Sequence, residues 1–173
     1  TLKEHPELNH IAINLSAQAF KDETLVPTIL ESLKLTGVNP NRITFELTES
    51  ASLFNLNITQ RVIAELHKLG CSFSVDDFGS GFSSFAYLKD LPADYIKLDG
   101  SFIQNLHNDT IDQALVKAMI QVIQALGKKA VAEYVENEEI LQILKSMGID
   151  FVQGYHIGHP VPVERLLAKK TQG

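Results

Sequence analysis

The chain has 173 residues, of which 45% are apolar and 21% charged, with a formal net charge of −6. This length and composition suit one globular domain with a sizeable core, and the acidic balance argues against a general nucleic-acid-binding protein. The single cysteine, Cys71, excludes an intrachain disulfide, and no stretch approaches the roughly 20 apolar residues of a membrane span. We therefore expect a cytoplasmic domain with Cys71 buried in its core, and leave open whether a longer protein is membrane-anchored.

Short apolar strands alternate with helical patterns along the chain. The predicted strands are residues 10–15, 42–47, 71–75, 95–98, 129–134 and 149–152. The predicted helices are residues 20–35, 58–69, 111–126 and 138–147, with a last short helix after Pro160 and Pro162. Such alternation predicts parallel strands joined by right-handed crossovers.

Two α/β architectures fit this order, a (β/α) barrel and a doubly wound open sheet. A full eight-stranded barrel typically needs about 250 residues. We interpret the chain as a TIM-like barrel in which about six of eight βα units are present and the opening units are absent. No linker or internal repeat divides the chain, so residues 1–173 are predicted to form one domain.

Each predicted strand delivers polar or charged side chains at its carboxyl end, the edge where such folds build their sites. These residues are Asn14, Glu46, Glu49, Asp76, Asp77, Lys97, Asp99, Glu133, Glu136 and Gln153. Any single acid of this set could instead cap a helix or form a turn, and Lys97 could simply pair with Asp99. A polar residue after every one of six strands favours a functional site.

Hard oxygen ligands dominate this set and suit Mg²⁺ or Mn²⁺. Glu46 lies inside a strand between Phe45 and Leu47, where it cannot cap a helix and needs a cation or strong donors. Adjacent aspartates suit a two-metal centre of the kind that hydrolyses phosphoesters. After them, Gly79 and Gly81 allow a sharp turn.

Six segments in order resemble the EAL domain, the bacterial cyclic di-GMP phosphodiesterase. They are Asn14-Leu15-Ser16, Glu46-Leu47-Thr48-Glu49-Ser50, Asp76-Asp77-Phe78-Gly79-Ser80-Gly81-Phe82-Ser83-Ser84, Lys97-Leu98-Asp99, Ala132-Glu133-Tyr134-Val135-Glu136 and Gln153-Gly154-Tyr155. The resemblance implies hydrolysis of cyclic di-GMP to linear pGpG with two Mg²⁺ or Mn²⁺ ions. It implies that Asn14, Glu46 and Asp76 are metal ligands, that Asp76 bridges, and that Asp77 and Glu133 serve the second ion.

Further roles follow from the same resemblance. Lys97 would contact the nucleophilic water, and Gln153 would support the water or the metal shell. Glu49 resembles the glutamate that holds the loop after Asp77. Asp99 and Glu136 match further acidic positions of the site.

The resemblance also implies partners. The loop and the segment after Asp77, Phe82 to Leu88, resemble the region through which such domains form homodimers and transmit signals. Fusion to an upstream sensor or GGDEF-type domain is expected.

Two departures from the family pattern stand out. The Glu-Ala-Leu motif is absent, since the chain begins beyond its expected place, and with it go one metal ligand and a substrate-contacting arginine. Tyr134 stands where glycine is usual, and could narrow the pocket or stack on a base. The alternatives are a degenerate EAL domain that binds cyclic di-GMP without cleaving it, and a different Mg²⁺-dependent barrel enzyme.

Overall fold

Six parallel strands form one sheet in the computed structural model, which describes residues 10–80, 85–162 and 164. The strands are β1 Ile11–Asn14, β2 Ile43–Thr48, β3 Ser72–Phe78, β4 Tyr95–Leu98, β5 Lys129–Ala132 and β6 Phe151–Val152. Each strand pairs with the next one along the chain, in the order β1-β2-β3-β4-β5-β6. A doubly wound sheet reverses its strand order at a switch point, whereas a barrel does not. The consecutive order and the curled half-barrel confirm the predicted TIM-like architecture.

Helices connect the strands: α1 Leu25–Thr36, α2 Glu49–Phe54, α3 Leu56–Leu69, α4 Gly100–Ile103, α5 Thr110–Ala125 and α6 Glu138–Ser146. Four of them start at an Asx cap, in which Asn55, Asp99, Asp109 and Asn137 accept hydrogen bonds from the first-turn backbone. Within the described ranges, no helix has the length and apolar character needed to cross a membrane.

Several predicted boundaries differ from the observed ones. The predicted helix 20–35 is divided, because Asp22 accepts a hydrogen bond from the Thr24 amide at 2.9 Å and turns the chain between a 3₁₀ turn and α1. Helix α2 was not predicted, since its six residues are too few to show a helical period. Strand β6 has two residues rather than four, because the Ile149 amide closes the end of α6 on Leu144. The predicted last helix falls, apart from Glu164, outside the described residues.

The apolar core lies between the sheet and the outer helices. Cys71 is 3% exposed, which confirms the prediction of a buried thiol. The edge of the Phe20 ring meets the ring of Phe73, with centroids 6.1 Å apart, and packs the 3₁₀ turn onto β3. On the concave side a cavity of about 380 Å³ is lined by His10, Ala12, Thr44, Glu46, Ser74, Tyr95, Lys97, Val131, Phe151 and Gln153. Its charged members lie toward the carboxyl end of the strands, where the candidate site is found.

Candidate active site

A β-bulge places two aspartates opposite one lysine. Val75 pairs with Ile96 and Phe78 with Leu98, so Asp76 and Asp77 together face the single residue Lys97. In a regular strand, neighbours point to opposite faces. The bulge changes this, since Asp77 adopts φ +55°, and carboxylate oxygens of Asp76, Asp77 and Glu133 lie within 4.8 Å of one another. The sequence placed both aspartates in a loop after β3; they lie within the strand.

Lys97 lies at the centre of the acidic residues. Its Nζ is 2.9 Å from Asp76 Oδ1, 2.9 Å from Glu133 Oε1 and 3.5 Å from Glu46 Oε2, and its side chain is 7% exposed. Lys97 pairs with these three carboxylates and not with Asp99, the alternative partner that the sequence left open. Asp99 Oδ1 instead accepts a hydrogen bond from the Ser101 amide at 2.8 Å and caps α4.

Burial and charge shift the protonation of this group. Burial would by itself lower the pKa of Lys97, but the hydrogen bonds to Glu133 and Asp76 outweigh it and raise the pKa. Burial raises the pKa of Glu133 to about 6, although the hydrogen bond from Lys97 opposes the rise. The pKa of Asp77 is also raised, first by burial and then by the charges of Asp76 and Asp99. A cation bound beside Glu133 and Asp77 would oppose this effect of burial and lower both pKa values.

The donor set fits divalent metal ions. The ammonium group of Lys97 pairs with three carboxylates, those of Glu46, Asp76 and Glu133, and a fourth carboxylate, that of Asp77, lies beside Asp76 and Glu133. Carboxylate oxygens are the ligands that Mg²⁺ and Mn²⁺ prefer, and binding such ions would balance the excess negative charge.

Three further predicted residues line the rim of this centre. Asn14 is exposed and lies next to Glu46 in the pairing of β1 with β2. The backbone amide of Gln153 donates to Ala132, and its side chain lines both the interior cavity and a second cleft of about 240 Å³. Glu136 is exposed and lines that second cleft together with Glu133.

Glu49 lies behind the bulge rather than in the acidic cluster. It is 2% exposed, and its Oε2 accepts a hydrogen bond from the Gly79 amide at 3.1 Å. Its Oε1 accepts a hydrogen bond from the Tyr87 hydroxyl at 2.7 Å. Gly79 adopts φ +96°, and Gly81 lies outside the described residues. Glu49 was expected to hold the loop after Asp77, and a hydrogen bond from the Gly79 amide to its carboxylate is the kind of contact that this role requires.

Two residues of this region were missed or left undecided by sequence reasoning. Tyr87 was not singled out, because no local pattern links it to Glu49, 38 positions away. Tyr134 was noted as unusual, but its φ of +54° and its place in the second cleft come only from the structure. A bulky residue with positive φ beside Glu133 is a signal that sequence periodicity does not carry.

A family model described as the EAL domain matches residues 1–160. The chain belongs to the EAL domain family. Among its relatives, the cyclic di-GMP phosphodiesterase PdeB of Shewanella oneidensis is 41% identical over 88% of this chain and 18% of its own length. The cyclic di-GMP phosphodiesterase PdeF of Escherichia coli is 38% identical over 90% of this chain and 21% of its own length. The EAL domain described here thus spans about a fifth of the length of these relatives.

Solved structures agree with the fold of this EAL domain. The MucR phosphodiesterase in complex with c-di-GMP superposes with a TM-score of 0.85 and is 37% identical, covering 91% of this chain and 64% of that one. The EAL domain of Mycobacterium smegmatis DcpA gives a TM-score of 0.85 at 31% identity, covering 92% of this chain and 73% of that one.

Proposed function

We propose that this EAL domain hydrolyses cyclic di-GMP to linear pGpG with two Mg²⁺ or Mn²⁺ ions. The observation that carries the proposal is the bulge that sets Asp76 and Asp77 against Lys97, beside Glu133. Two relatives are named cyclic di-GMP phosphodiesterases, and a similar structure is that of a phosphodiesterase in complex with c-di-GMP. Both findings support the same substrate for this chain.

The metal ligands proposed are Asn14, Glu46, Asp76, Asp77 and Glu133. The family resemblance gives Asp76 the bridging position between the two ions; its carboxylate shares Lys97 with Glu46 and lies within 4.8 Å of the Asp77 and Glu133 carboxylates. When bound, the ions would activate a water molecule and stabilise the attacking and leaving oxygens of the phosphodiester. Gln153, on the rim, would orient that water.

Lys97 acts as a hydrogen-bond donor rather than as a base, because its raised pKa keeps the ammonium group protonated. Its hydrogen bonds to Asp76 and Glu133 fix Nζ, and its third N–H, which makes only a long contact of 3.5 Å with Glu46 Oε2, can turn to the attacking water or to a phosphate oxygen. Glu133, whose pKa is about 6, is ionised at neutral and alkaline pH and can hold both Lys97 and a metal ion there.

The proposed reaction opens the cyclic dinucleotide at one phosphodiester. The oxygen of water bonds to phosphorus, one P–O3′ bond breaks, and the departing 3′ oxygen takes up a proton. The product is a linear dinucleotide with a 5′-phosphate. Glu49 does not touch the reacting atoms in this scheme; it positions Asp77 through the Gly79 amide.

The test is turnover in the full-length protein that contains this chain. With Mn²⁺ at alkaline pH, we expect chromatography to show cyclic di-GMP disappearing and pGpG appearing in equal amounts. Tight binding in calorimetry without turnover would contradict the proposal and assign the chain to cyclic di-GMP receptors. Turnover of phosphorylated sugars but not of cyclic dinucleotides would assign it to another class of barrel enzyme.

A homodimer through the region after Asp77 is part of the proposal. Within this region, Phe85 is 38% exposed at the start of a 3₁₀ turn, Phe85–Lys89, and packs edge-on against Phe78. Sedimentation should show that Phe85→Glu dissociates the dimer, whereas Leu35→Glu, a change at an 80% exposed residue of α1, leaves it intact. Equal masses for both variants and the native protein would contradict this interface. The fusion to sensor or GGDEF-type domains and the cytoplasmic location remain expectations.

A further inference from the structure

Tyr134 has an unusual backbone for a large side chain. Its φ is +54°, and among the described residues other than glycine only Asp77 also has a positive φ. L-residues with bulky side chains rarely adopt this conformation, and it persists where the surroundings impose it, often at functional sites. One of the two residues belongs to the acidic cluster, and the other follows Glu133 directly.

The backbone on both sides of Tyr134 is held in place. Before it, the Glu133 carboxylate is 2.9 Å from Lys97 Nζ. After it, the Val135 amide donates to the Gln153 carbonyl at 3.0 Å, and the Val135 carbonyl accepts from the His156 amide at 3.0 Å. Gly154 approaches so closely that a Cβ there would lie 2.3 Å from Val135 N. The direction of the Tyr134 side chain is therefore fixed by both neighbouring loops.

The Tyr134 ring lies against the backbone of Gly100. A Cβ at Gly100 would lie 2.2 Å from Tyr134 Cδ2, so only glycine fits beneath the ring. Even so, Tyr134 remains 52% exposed. Its open side lines the cleft of about 240 Å³ that also contains Glu133, Glu136 and the 58% exposed Tyr155. A rigid aromatic surface is thus presented to a cleft that begins at the acidic cluster.

We propose that Tyr134 is a specificity-determining residue, whose ring stacks on one purine base of the cyclic dinucleotide. The inference rests on the proposed function. Apart from the proposed metal ligand Glu133, the cleft contains two tyrosines and the carboxylate of Glu136, so its outer part disfavours a phosphate and suits an uncharged, planar part of the substrate. Aromatic side chains bind bases by stacking, and a ring fixed in advance loses little conformational freedom on binding.

The experiment compares Tyr134→Phe, Tyr134→Leu and Tyr134→Gly in the full-length protein with Mn²⁺. Phenylalanine keeps the stacking face, so we expect KM for cyclic di-GMP within about twofold of the native value. Leucine and glycine remove it and should raise KM, and the Kd from calorimetry, about tenfold. Glycine adopts positive φ without strain, so Tyr134→Gly should fold. All variants should bind Mn²⁺ with the native affinity in the absence of cyclic di-GMP, because Tyr134 offers no metal ligand.

Two results would overturn the inference. If KM and Kd of the leucine and glycine variants stay within twofold of native while their Mn²⁺ affinity is native, the ring only covers Gly100. If all three variants, including phenylalanine, lose affinity equally, the effect is structural. Failure of the proposed function is recognised separately. If the native protein binds cyclic di-GMP without cleaving it, the Kd ratios still decide the role of Tyr134; if it does not bind, both proposals are wrong.

Discussion

The hydroxyl of Tyr87 donates a hydrogen bond of 2.7 Å to Glu49 Oε1, while Glu49 Oε2 accepts one from the Gly79 amide. Glu49 is 2% exposed, so both carboxylate oxygens obtain their donors from the protein. A chain of contacts thus runs from the 3₁₀ turn that contains Tyr87, through Glu49, to the residue two positions after Asp77. The conformation of the bulge depends on a surface segment as well as on its own strand.

Tyr87→Phe should therefore weaken the metal centre without touching it. The change removes one donor from a buried carboxylate, and we expect the free energy of unfolding to fall by about 1.5–2 kcal/mol. Mn²⁺ affinity should fall about tenfold, as is typical when a support of the metal ligands is lost. Denaturant unfolding and calorimetric Mn²⁺ titration measure the two effects. Tyr95→Phe is the matched control, since Tyr95 packs its ring on Phe151 and should leave Mn²⁺ affinity unchanged.

Lys97→Met should separate metal binding from turnover. Without the ammonium group, Asp76, Glu133 and Glu46 lose their shared partner, and the metal-free protein should be less stable. Divalent ions can replace that charge, so Mn²⁺ affinity should be unchanged or higher. The catalytic donor is lost, and kcat should fall about 10²- to 10³-fold. Loss of Mn²⁺ binding in parallel with kcat would instead mean that Lys97 mainly organises the ligands.

The pH dependence of metal binding should follow Glu133, whose pKa is about 6. Below that pH the carboxyl is protonated and must lose a proton to bind the ion. Mn²⁺ affinity should therefore fall about tenfold for each unit by which the pH is lowered below about 6. Above it the affinity should be constant. Calorimetry of native protein and Glu133→Gln over pH 5–8 checks this, because the variant should bind more weakly and without a step near pH 6. A native profile that is flat from pH 5 would contradict the assignment of Glu133 as a ligand.

The same pKa shift makes a prediction about stability. The pKa of Glu133 in the folded protein is above its usual value, so the folded protein binds this proton more tightly than the unfolded chain does. The stability gained from Glu133 is therefore complete at pH values below its usual pKa. The contribution is lost as the pH rises through about 6. Metal-free protein should therefore lose stability from Glu133 as the pH rises to about 6, and added Mn²⁺ should reverse that loss. Thermal unfolding with and without Mn²⁺ measures both.

Gly79→Ala should lower kcat as well as the free energy of unfolding, and a strained backbone at residue 79 alone would lower only the latter. At φ +96° a side chain is strained, and a Cβ would lie 2.9 Å from Phe102 Cε2. We expect a loss of about 2 kcal/mol in unfolding free energy and a clear fall in kcat, since the amide of residue 79 must stay on Glu49. Gly127→Ala is the control: φ is +74° but nothing lies within 4 Å, so a smaller loss of stability and native kcat are expected. Equal kcat values for both variants would contradict a role for the Gly79 turn.

Sequence reasoning reached the fold because short apolar strands alternate regularly with longer helical patterns along the chain. Glu46 could be recognised as an inward-facing carboxylate from its place between Phe45 and Leu47, and the structure shows its oxygen 3.5 Å from Lys97 Nζ. What the sequence could not give was register. The bulge at Asp76 and Asp77 exists only relative to β4, where one residue faces two, so a local pattern predicts a loop.

Contacts distant in sequence were missed for the same reason. Nothing near Tyr87 indicates that its hydroxyl meets Glu49, and nothing near Gly100 indicates that the ring of Tyr134 lies above it. Both contacts depend on how loops from different strands converge at one edge of the barrel. Roles assigned to Asn14 and Gln153 remain predictions, because the structure places both residues at the rim of the acidic cluster and does not test what they bind.

The central claim is that the paired aspartates build a two-metal centre, and the number of ions bound tests it most directly. Equilibrium dialysis of the full-length protein against Mn²⁺ at pH 8 should give two ions per EAL domain. Asp77→Asn should retain one tightly bound ion and lose turnover, because Asp76 remains with Glu46 while the second ion loses one of its proposed ligands and keeps Glu133. A native stoichiometry of one ion or none, or an Asp77→Asn variant that still binds two and turns over normally, would contradict the claim.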